Sequence, residues 1–498
     1  MKASKVSLIK VWSVVLLICT GLWSLTSCQD IKRPSFIIIA ADQLSFNSFS
    51  CTDDRPESLS GLNALCQESL RFTNAFTTST QTSAAMGSLL SGTYPYDHQL
   101  HRSFDRVNSG LPLLQEFFKS SNYRTSFWSG KPTILKKTGL SRGFDSFDDS
   151  SFLNQSSYSI NFKEQTHLFE NWANESTAPF FSVIYTSELE SLNEGEKQIS
   201  SLENFDEKLG FFFNELKANN LWESNYVIVL GLQGESEYSR PAESIFSNLH
   251  IENTNIALFV KPPREKGDEG VNWKIDTAVN LADLGYSLMR TINSSYSKPQ
   301  DPQYPIWDFS ALWSKNKKEN LSDESRKLII ETANTWKREL EIRFALIFKN
   351  YLFIESQNNE FYNKLTDGME TIDLIKTQVE IKPDDIRNLD DVRKRVSAQK
   401  WTLYQPLDSR WVLSNREYWS KPNSRRSVFQ LEKSRLLKEK TVQPLSTMLI
   451  YFLDPKLEKD ALYDDARRNS YNLSLENIWG LWNPNKMWAQ PKVITENQ

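Results

Sequence analysis

Histidine is scarce in this chain. Its 498 residues contain four: His98, His101, His167 and His250. That shortage leaves little room for imidazole-bound zinc or for histidine-based acid–base catalysis. A basic excess is also lacking. Lys+Arg 58 against Asp+Glu 62 gives a formal net charge of −4, so nothing in the composition points to nucleic acid. Cysteine is limited to Cys19, Cys28, Cys51 and Cys66, too few for a disulfide-built scaffold. What is present suits one large or two ordinary globular domains, with 39% hydrophobic residues, 15 Trp and 29 Phe. Aromatic side chains in such number fill cores, or face carbohydrate or lipid.

The N-terminus reads as a targeting segment. Lys2, Lys5 and Lys10 form a positive region before VWSVVLLICTGLW (residues 11–23), an apolar run too short for a comfortable membrane span. LTSC (residues 25–28) follows and resembles a bacterial lipobox. On that reading residues 1–27 are a lipoprotein signal peptide and Cys28 is the lipidated mature N-terminus; an ordinary signal peptide or an uncleaved anchor is the alternative. Gln29 in place of Asp favours the outer membrane by analogy with Gram-negative sorting. The chain is thus expected to cross the inner membrane and stay lipid-anchored, at the periplasmic face or the outer membrane. Cys51 and Cys66 would then sit in an oxidising compartment, either paired or as two buried thiols.

Beyond the leader, strand-like and helix-like runs alternate. SFIIIAAD (residues 35–42) is apolar on both faces and ends in an acid, the pattern of a buried parallel strand. SLSGLNALCQESL (58–70) has helical spacing of leucines. Ser83–Ser91 forms a small-residue helix stopped by Gly92, Leu111–Phe118 another helix, and YRTSFWS (123–129) a strand. PFFSVIY (179–185), NYVIVLG (225–231) and NIALFVK (255–261) are further strands. Residues 203–219 and 275–292 read as helices. This alternation predicts an α/β fold, a layered, mostly parallel sheet flanked by helices. The segment 324–342 reads as a charged helix, and ALIFKNYLFIES (345–356) as two strands of a small sheet. The expected division is a core at 28–295, a smaller subdomain at 296–375, and a charged, mostly helical extension at 376–498.

The order of these segments resembles the sulfatases of the alkaline phosphatase superfamily. RPSFIIIAADQLSFNSFSC is similar to their opening strand, which ends in a pair of metal-binding acids. LRFTNAFTTSTQTSAAMGSLLSGTYP resembles the segment that carries the catalytic residue. NYRTSFWSGKP followed by GFDSF resembles the strand with an active-site lysine, and NYVIVLGLQGE the strand that returns to the metal. ENTNIALFVKPP and the DTAVNLADLGYSLM helix fit the later core, and FYNKLTDGMETIDL resembles the C-terminal turn. The resemblance implies a divalent cation, usually calcium, held by 6–8 oxygens, and a nucleophile at a helix start. In sulfatases that nucleophile is a formylglycine made from the first residue of a C/S-x-P/A-x-R motif; relatives acting on phosphate esters use Thr or Ser directly.

Transferred residue by residue, this site is depleted. Asp42 matches the first metal-binding acid, but Gln43 stands at the second. Thr82 falls at the nucleophile, with Ala84 and Met86 at the Pro/Ala and Arg positions. Thr is not a formylglycine precursor. Lys131 matches the substrate-facing lysine, followed by Thr133 where a histidine is expected. Leu232 and Gln233 stand where an acid and a His or Asn belong, and TSELES supplies no histidine after the third strand. One carboxylate and the carbonyl oxygens of Gln43 and Gln233 would hold a hard dication weakly. Each retained group also has a plain structural reading: Asp42 as a turn residue, Thr82 as a helix N-cap, Lys131 as a solvated side chain. His98 and His101, in YPYDHQLHR, resemble a landmark that positions the chain.

Three functions fit. The first is a lipid-anchored, catalytically degenerate sulfatase-fold protein with a residual anion-binding or scaffolding role, its ligand an anionic ester or glycan. The second is a sulfate- or phosphate-ester hydrolase or transferase using Thr82 with a rearranged metal site, in which Glu235 or Glu237 could approach as a base. The third is a surface interaction protein working through residues 376–498.

Overall fold

The computed structural model describes residues 33–51, 59–102, 105–131, 134, 136–149, 160–189, 196–234, 249–264, 271–298, 304–314, 326–333, 342–348, 350–355, 359–364, 366–368 and 370–374. The leader, Cys28, Thr133, Glu235, Glu237 and the extension at 376–498 lie outside the described residues. Among those described, no helix is long and apolar enough to cross a membrane.

In chain order the principal elements are β1 (Phe36–Ala41), α1 (Ser60–Glu68), β2 (Leu70–Phe72), β3 (Ala75–Phe76), α2 (Thr82–Ser91), α3 (Leu114–Ser120), β4 (Arg124–Ser129), β5 (Ser146–Asp148), α4 (Phe162–Asn174), β6 (Phe180–Thr186), α5 (Glu196–Ala218) and β7 (Tyr226–Gly231). They continue with β8 (Leu258–Lys261), β9 (Trp273–Ile275), β10 (Val279–Asn280), α6 (Leu281–Ile292), β11 (Lys327–Ala333), β12 (Ile342–Phe348), β13 (Tyr351–Ile354) and β14 (Glu360–Asn363).

Eight strands form one sheet in the order β5-β4-β6-β1-β7-β8-β2-β9. The run from β5 to β7 is parallel, while β8 pairs antiparallel with β7. A parallel strand covered on both faces must be apolar at every position, and FIIIAA meets that condition. Phe36, Ile38 and Ala40 pack with Ala85, Met86, Leu89, Leu284 and Leu288 of α2 and α6. Ile37, Ile39 and Ala41 pack on the opposite face with Leu62, Leu65, Phe205, Leu209 and Phe212 of α1 and α5. The sheet is therefore the middle layer between two helical layers. Cys51 and Cys66 are disulfide-bonded, with Cα atoms 5.8 Å apart, which ties the chain after β1 to α1. A second, antiparallel sheet, β11-β12-β13-β14, lies on the C-terminal side.

Three local expectations need correction. The segment 324–342 contains a strand, Lys327–Ala333, where a charged helix was expected. Its adjacent apolar residues divide between two cores, Leu328 and Ile330 on one face and Ile329 on the other, so both faces of the strand are buried. The helix expected over 275–292 begins at Leu281, because Val279 and Asn280 first pair with β3. Asn280 and Asp283 then close a reciprocal cap, each side chain accepting from the other's backbone N–H at 3.0 and 2.7 Å. The helix expected at 111–118 starts later, at Leu114.

Candidate functional site

Open α/β sheets carry ligands at the carboxyl ends of their parallel strands. Here that edge gathers most of the residues singled out from the sequence. β1 leads to Asp42 and Gln43, β7 to Leu232 and Gln233, and β4 to Gly130 and Lys131. The register sets these exits side by side, with Ala41 opposite both Thr186 and Gly231, and Ser129 opposite Tyr185. The Leu232 N–H donates to the Ala41 carbonyl at 2.8 Å, so the chain leaving β7 stays against the chain leaving β1. Gln43 has φ of 57°, turning the chain sharply after the strand. Lys131 is half-buried two strands from β1, and its carbonyl accepts the Ser129 hydroxyl at 2.6 Å.

The loop 77–81 delivers the start of α2 to the same edge, held from two sides. Thr77 Oγ1 donates to the Leu232 carbonyl at 2.6 Å, and the Thr77 N–H to the Thr254 carbonyl at 2.9 Å. On the other side, the Thr80 N–H donates to the Glu331 carbonyl at 3.1 Å and the Glu331 N–H to the Thr78 carbonyl at 3.0 Å. The hydroxyls of Thr80 and Thr332 meet at 2.7 Å. β11 thus braces the loop. Glu331 is itself tied to His101, with 2.5 Å between its carboxylate and Nδ1, both side chains buried. Burial pushes the Glu331 carboxyl up and His101 pulls it back. His98 has a separate role. Its Nε2 lies 3.0 Å from Ser88 Oγ, its Nδ1 accepts from the Leu100 N–H, and burial holds the imidazole well below the usual histidine range.

Thr82 is the first residue of α2, and the N-cap position belongs to Gln81, whose side chain makes no capping bond. The reading of Thr82 as an N-cap is corrected accordingly. Its hydroxyl donates instead to Asp42 Oδ1 at 2.9 Å. A hydroxyl bonded to a buried carboxylate gains more than one bonded to a neutral amide. The second Asp42 oxygen accepts from the Tyr185 hydroxyl at 2.6 Å. All three side chains are essentially inaccessible, Asp42 and Tyr185 at 0% and Thr82 at 1% exposure. Sequence reasoning missed Tyr185. The signal was the two-residue period of β6, which sets Tyr185 on the same face as Phe181 and Val183, toward α2.

The donor set does not fit the cation that the resemblance implies. Asp42, the carboxylate at the β1 exit, has one oxygen bonded to the Thr82 hydroxyl and the other to the Tyr185 hydroxyl. Leu232, at the position of a further acid, is fully buried in the apolar core. Among the described residues, no group of three or more His, Cys, Asp or Glu side chains is arranged to hold a metal. Met86, at the position of the motif arginine, is likewise buried in the core. The start of α2 has a further property. Both amide atoms of Gln81, Ser83 Oγ and Thr78 Oγ1 are buried without a hydrogen-bond partner. Such atoms are uncommon in folded proteins, and each costs about 1–3 kcal/mol.

A parallel-centred sheet between helical layers, with a small antiparallel sheet bracing the loop before a buried helix start, defines a hydrolase-type α/β architecture. The match to known families is specific. Residues 34–294, more than half of the chain, match the family model Sulfatase, and the chain belongs to the sulfatase family. Among solved structures it is similar to a 2-O GAG sulfatase, with 13% identity, 74% of this chain and 93% of that one covered, and a TM-score of 0.57. It is also similar to the phosphonate monoester hydrolase of Agrobacterium radiobacter (12% identity, 73% and 96% covered, TM-score 0.56). A third similar structure was solved with its substrate D-glucosamine-2-N,6-O-disulfate (12% identity, 74% and 99% covered, TM-score 0.56). At these identities the likeness is one of fold. No curated protein matches the sequence.

Proposed function

We propose that this chain is a catalytically degenerate member of the sulfatase family, anchored in the cell envelope through a lipid on Cys28, that binds an anionic, glycan-like ester without cleaving it. One observation carries the reading. Asp42 and Thr82, the retained metal-ligand and nucleophile positions, are hydrogen-bonded to each other within a buried trio completed by Tyr185. Leu232 and Met86 supply no ligand and no charge beside them. The unpartnered Gln81, Ser83 and Thr78 side chains support retained binding, because a ligand oxygen at the start of α2 would meet these groups and the free N–H groups of the first turn. Similarity in fold to a 2-O GAG sulfatase and to a protein solved with a disulfated glucosamine supports a glycan as the ligand class.

Two assays test this. Aryl sulfate and aryl phosphate esters should show no turnover, with or without added calcium, magnesium, manganese or zinc. Inorganic sulfate should raise the melting temperature of the native chain, and Gln81→Ala should weaken that rise. Saturable turnover abolished in Thr82→Ala would overturn the proposal. It would establish the second reading, ester hydrolysis through Thr82, which the 2.9 Å bond from its hydroxyl to a carboxylate favours.

A further inference from the structure

We infer that the start of α2 reads more than an anion: Gln81 selects an ester that carries a hydrogen-bond donor beside its sulfate, the O–H of a sugar hydroxyl or the N–H of an N-acyl group. The inference rests on the proposed binding of an anionic ester. It names the part of that ligand which the anion alone leaves unaccounted for.

The backbone of Gln81 is fully engaged. Its N–H donates to Ser79 Oγ at 3.1 Å, and its carbonyl accepts from the Ala85 N–H at 2.9 Å, closing the first turn of α2. Its side chain is buried, makes no capping bond and has a partner at neither amide atom. Turning the amide over changes nothing, because one donor and one acceptor stay unpaired in either orientation. A sulfate oxygen only accepts. It can answer Gln81 Nε2, the buried and unpartnered hydroxyls of Thr78 and Ser83, and the N–H groups of the first turn. It cannot answer Gln81 Oε1, for which burial beside a second acceptor is costly. The two hydroxyls adapt to either kind of partner by rotating, and the amide does not. A ligand that satisfies the whole cluster therefore brings a donor to the same amide that holds its anion. Sugars carry such a donor on the carbon next to an esterified one.

Titration calorimetry of the native chain with three simple esters tests the inference: 2-hydroxyethyl sulfate, 2-acetamidoethyl sulfate and 2-methoxyethyl sulfate. The first and last share their oxygens and differ in one donor hydrogen. Wild type should bind the hydroxyl or the acetamido ester about tenfold more tightly than the methoxy ester, the discrimination that one buried unpaired group supplies. The tighter of the two identifies the donor as hydroxyl or amide. Gln81→Met keeps the length of the side chain without its polar atoms, and there the preference should collapse to within about twofold. A packing role alone would weaken all three esters alike and leave the preference intact. Gln81→Glu keeps an acceptor and loses the donor, so it should weaken all three and retain the preference. Equal binding of the three by wild type, a preference that survives in Q81M, or one that vanishes in Q81E would overturn the inference while leaving anion binding in place. Binding of none, with no response to inorganic sulfate, would remove the proposed function and this inference with it. Should Q81M fail to fold, wild type and Q81E decide.

Discussion

The contact that seats the candidate helix can be tested by one methyl group. Gly285 lies inside α6, where glycine is disfavoured, and intrinsic helix propensity predicts that Gly285→Ala stabilises the protein by about 1 kcal/mol. Packing predicts the opposite. A Cβ at Gly285 would lie 2.1 Å from the Leu89 carbonyl oxygen, 2.9 Å from its carbonyl carbon and 3.1 Å from the Gly92 Cα. All three are backbone atoms of α2 or of its left-handed C-terminal stop, where Gly92 has φ of 61°. Reaching an ordinary separation of about 3.5 Å from that oxygen would part the two backbones by roughly 1.4 Å. Overpacking typically costs about 1–3 kcal/mol, and rigid backbone on both sides favours the upper end. After the gain in propensity, the expected net effect is a loss of about 2 kcal/mol. Urea unfolding followed by tryptophan fluorescence should show a lower midpoint with an unchanged slope. The variant should also respond more weakly to sulfate, because α2 carries the binding start at its other end. A G285A protein as stable as wild type, or more so, would refute the close approach of α2 and α6.

Two further outcomes follow from buried links elsewhere. Arg326 pairs with Asp283 and stacks over Trp307 at 4.1 Å, while burial pushes the Asp283 carboxyl up and Arg326 pulls it down. Arg326→Ala should cost about 3–5 kcal/mol at neutral pH by leaving a buried charge unpaired. Because the folded-state pKa of Asp283 is already raised and would rise further, the deficit belongs to the ionised form and should shrink as pH falls through that value; a deficit that grows on acidification in equilibrium unfolding would contradict the assignment. Replacing Cys51 and Cys66 with serine opens a loop with a sequence separation of 15 and should lower stability by about 3 kcal/mol, read as a melting temperature insensitive to reductant and below that of the oxidised wild type.

The legible part of the fold was the part buried on both faces. β1 and β7 are almost wholly apolar, and β6 is interrupted only by Ser182 before its terminal Thr186, because helices cover each side, and α5 is amphipathic because one side meets solvent. β11 was misread for a related reason. Leu328, Ile329 and Ile330 are consecutive because the small sheet is also covered twice, and with charged residues around them such a run suits a helix as well as a strand. The candidate site divides in the same way. Asp42 and Thr82 could be placed because each is fixed by its own element, a strand end and a helix start. Tyr185 joins them from 143 positions beyond Asp42, and Glu331 braces the loop from the second sheet. Such pairings depend on strand order, which no local pattern reveals. The C-terminal turn was recognisable by resemblance, and its physical basis is now plain. Asp367 accepts from the backbone of Thr371 at 3.0 Å and Ile372 at 2.7 Å, closing the turn that carries Glu370 to His250.

The same packing suits the proposed non-hydrolytic reading. Every residue of α2 is buried, and the loop before it is held by backbone bonds to Thr254 and Glu331 that no metal needs to support. At two positions where the family motif has a charged group, this chain has Met86 and Leu232, both in the core beneath the site. Burying such a side chain contributes about 1.5–3 kcal/mol, whereas a buried charge without its partners costs several. Once a dication is absent, an arginine or an aspartate at these places would be an unpaired charge in an apolar layer, and its replacement by an apolar residue stabilises the fold. Tyr185 and Thr82 both donate to the buried Asp42, joining β6 and α2 to the end of β1. On the proposed non-hydrolytic reading these positions therefore form a consistent set, each adding to the core rather than to catalysis.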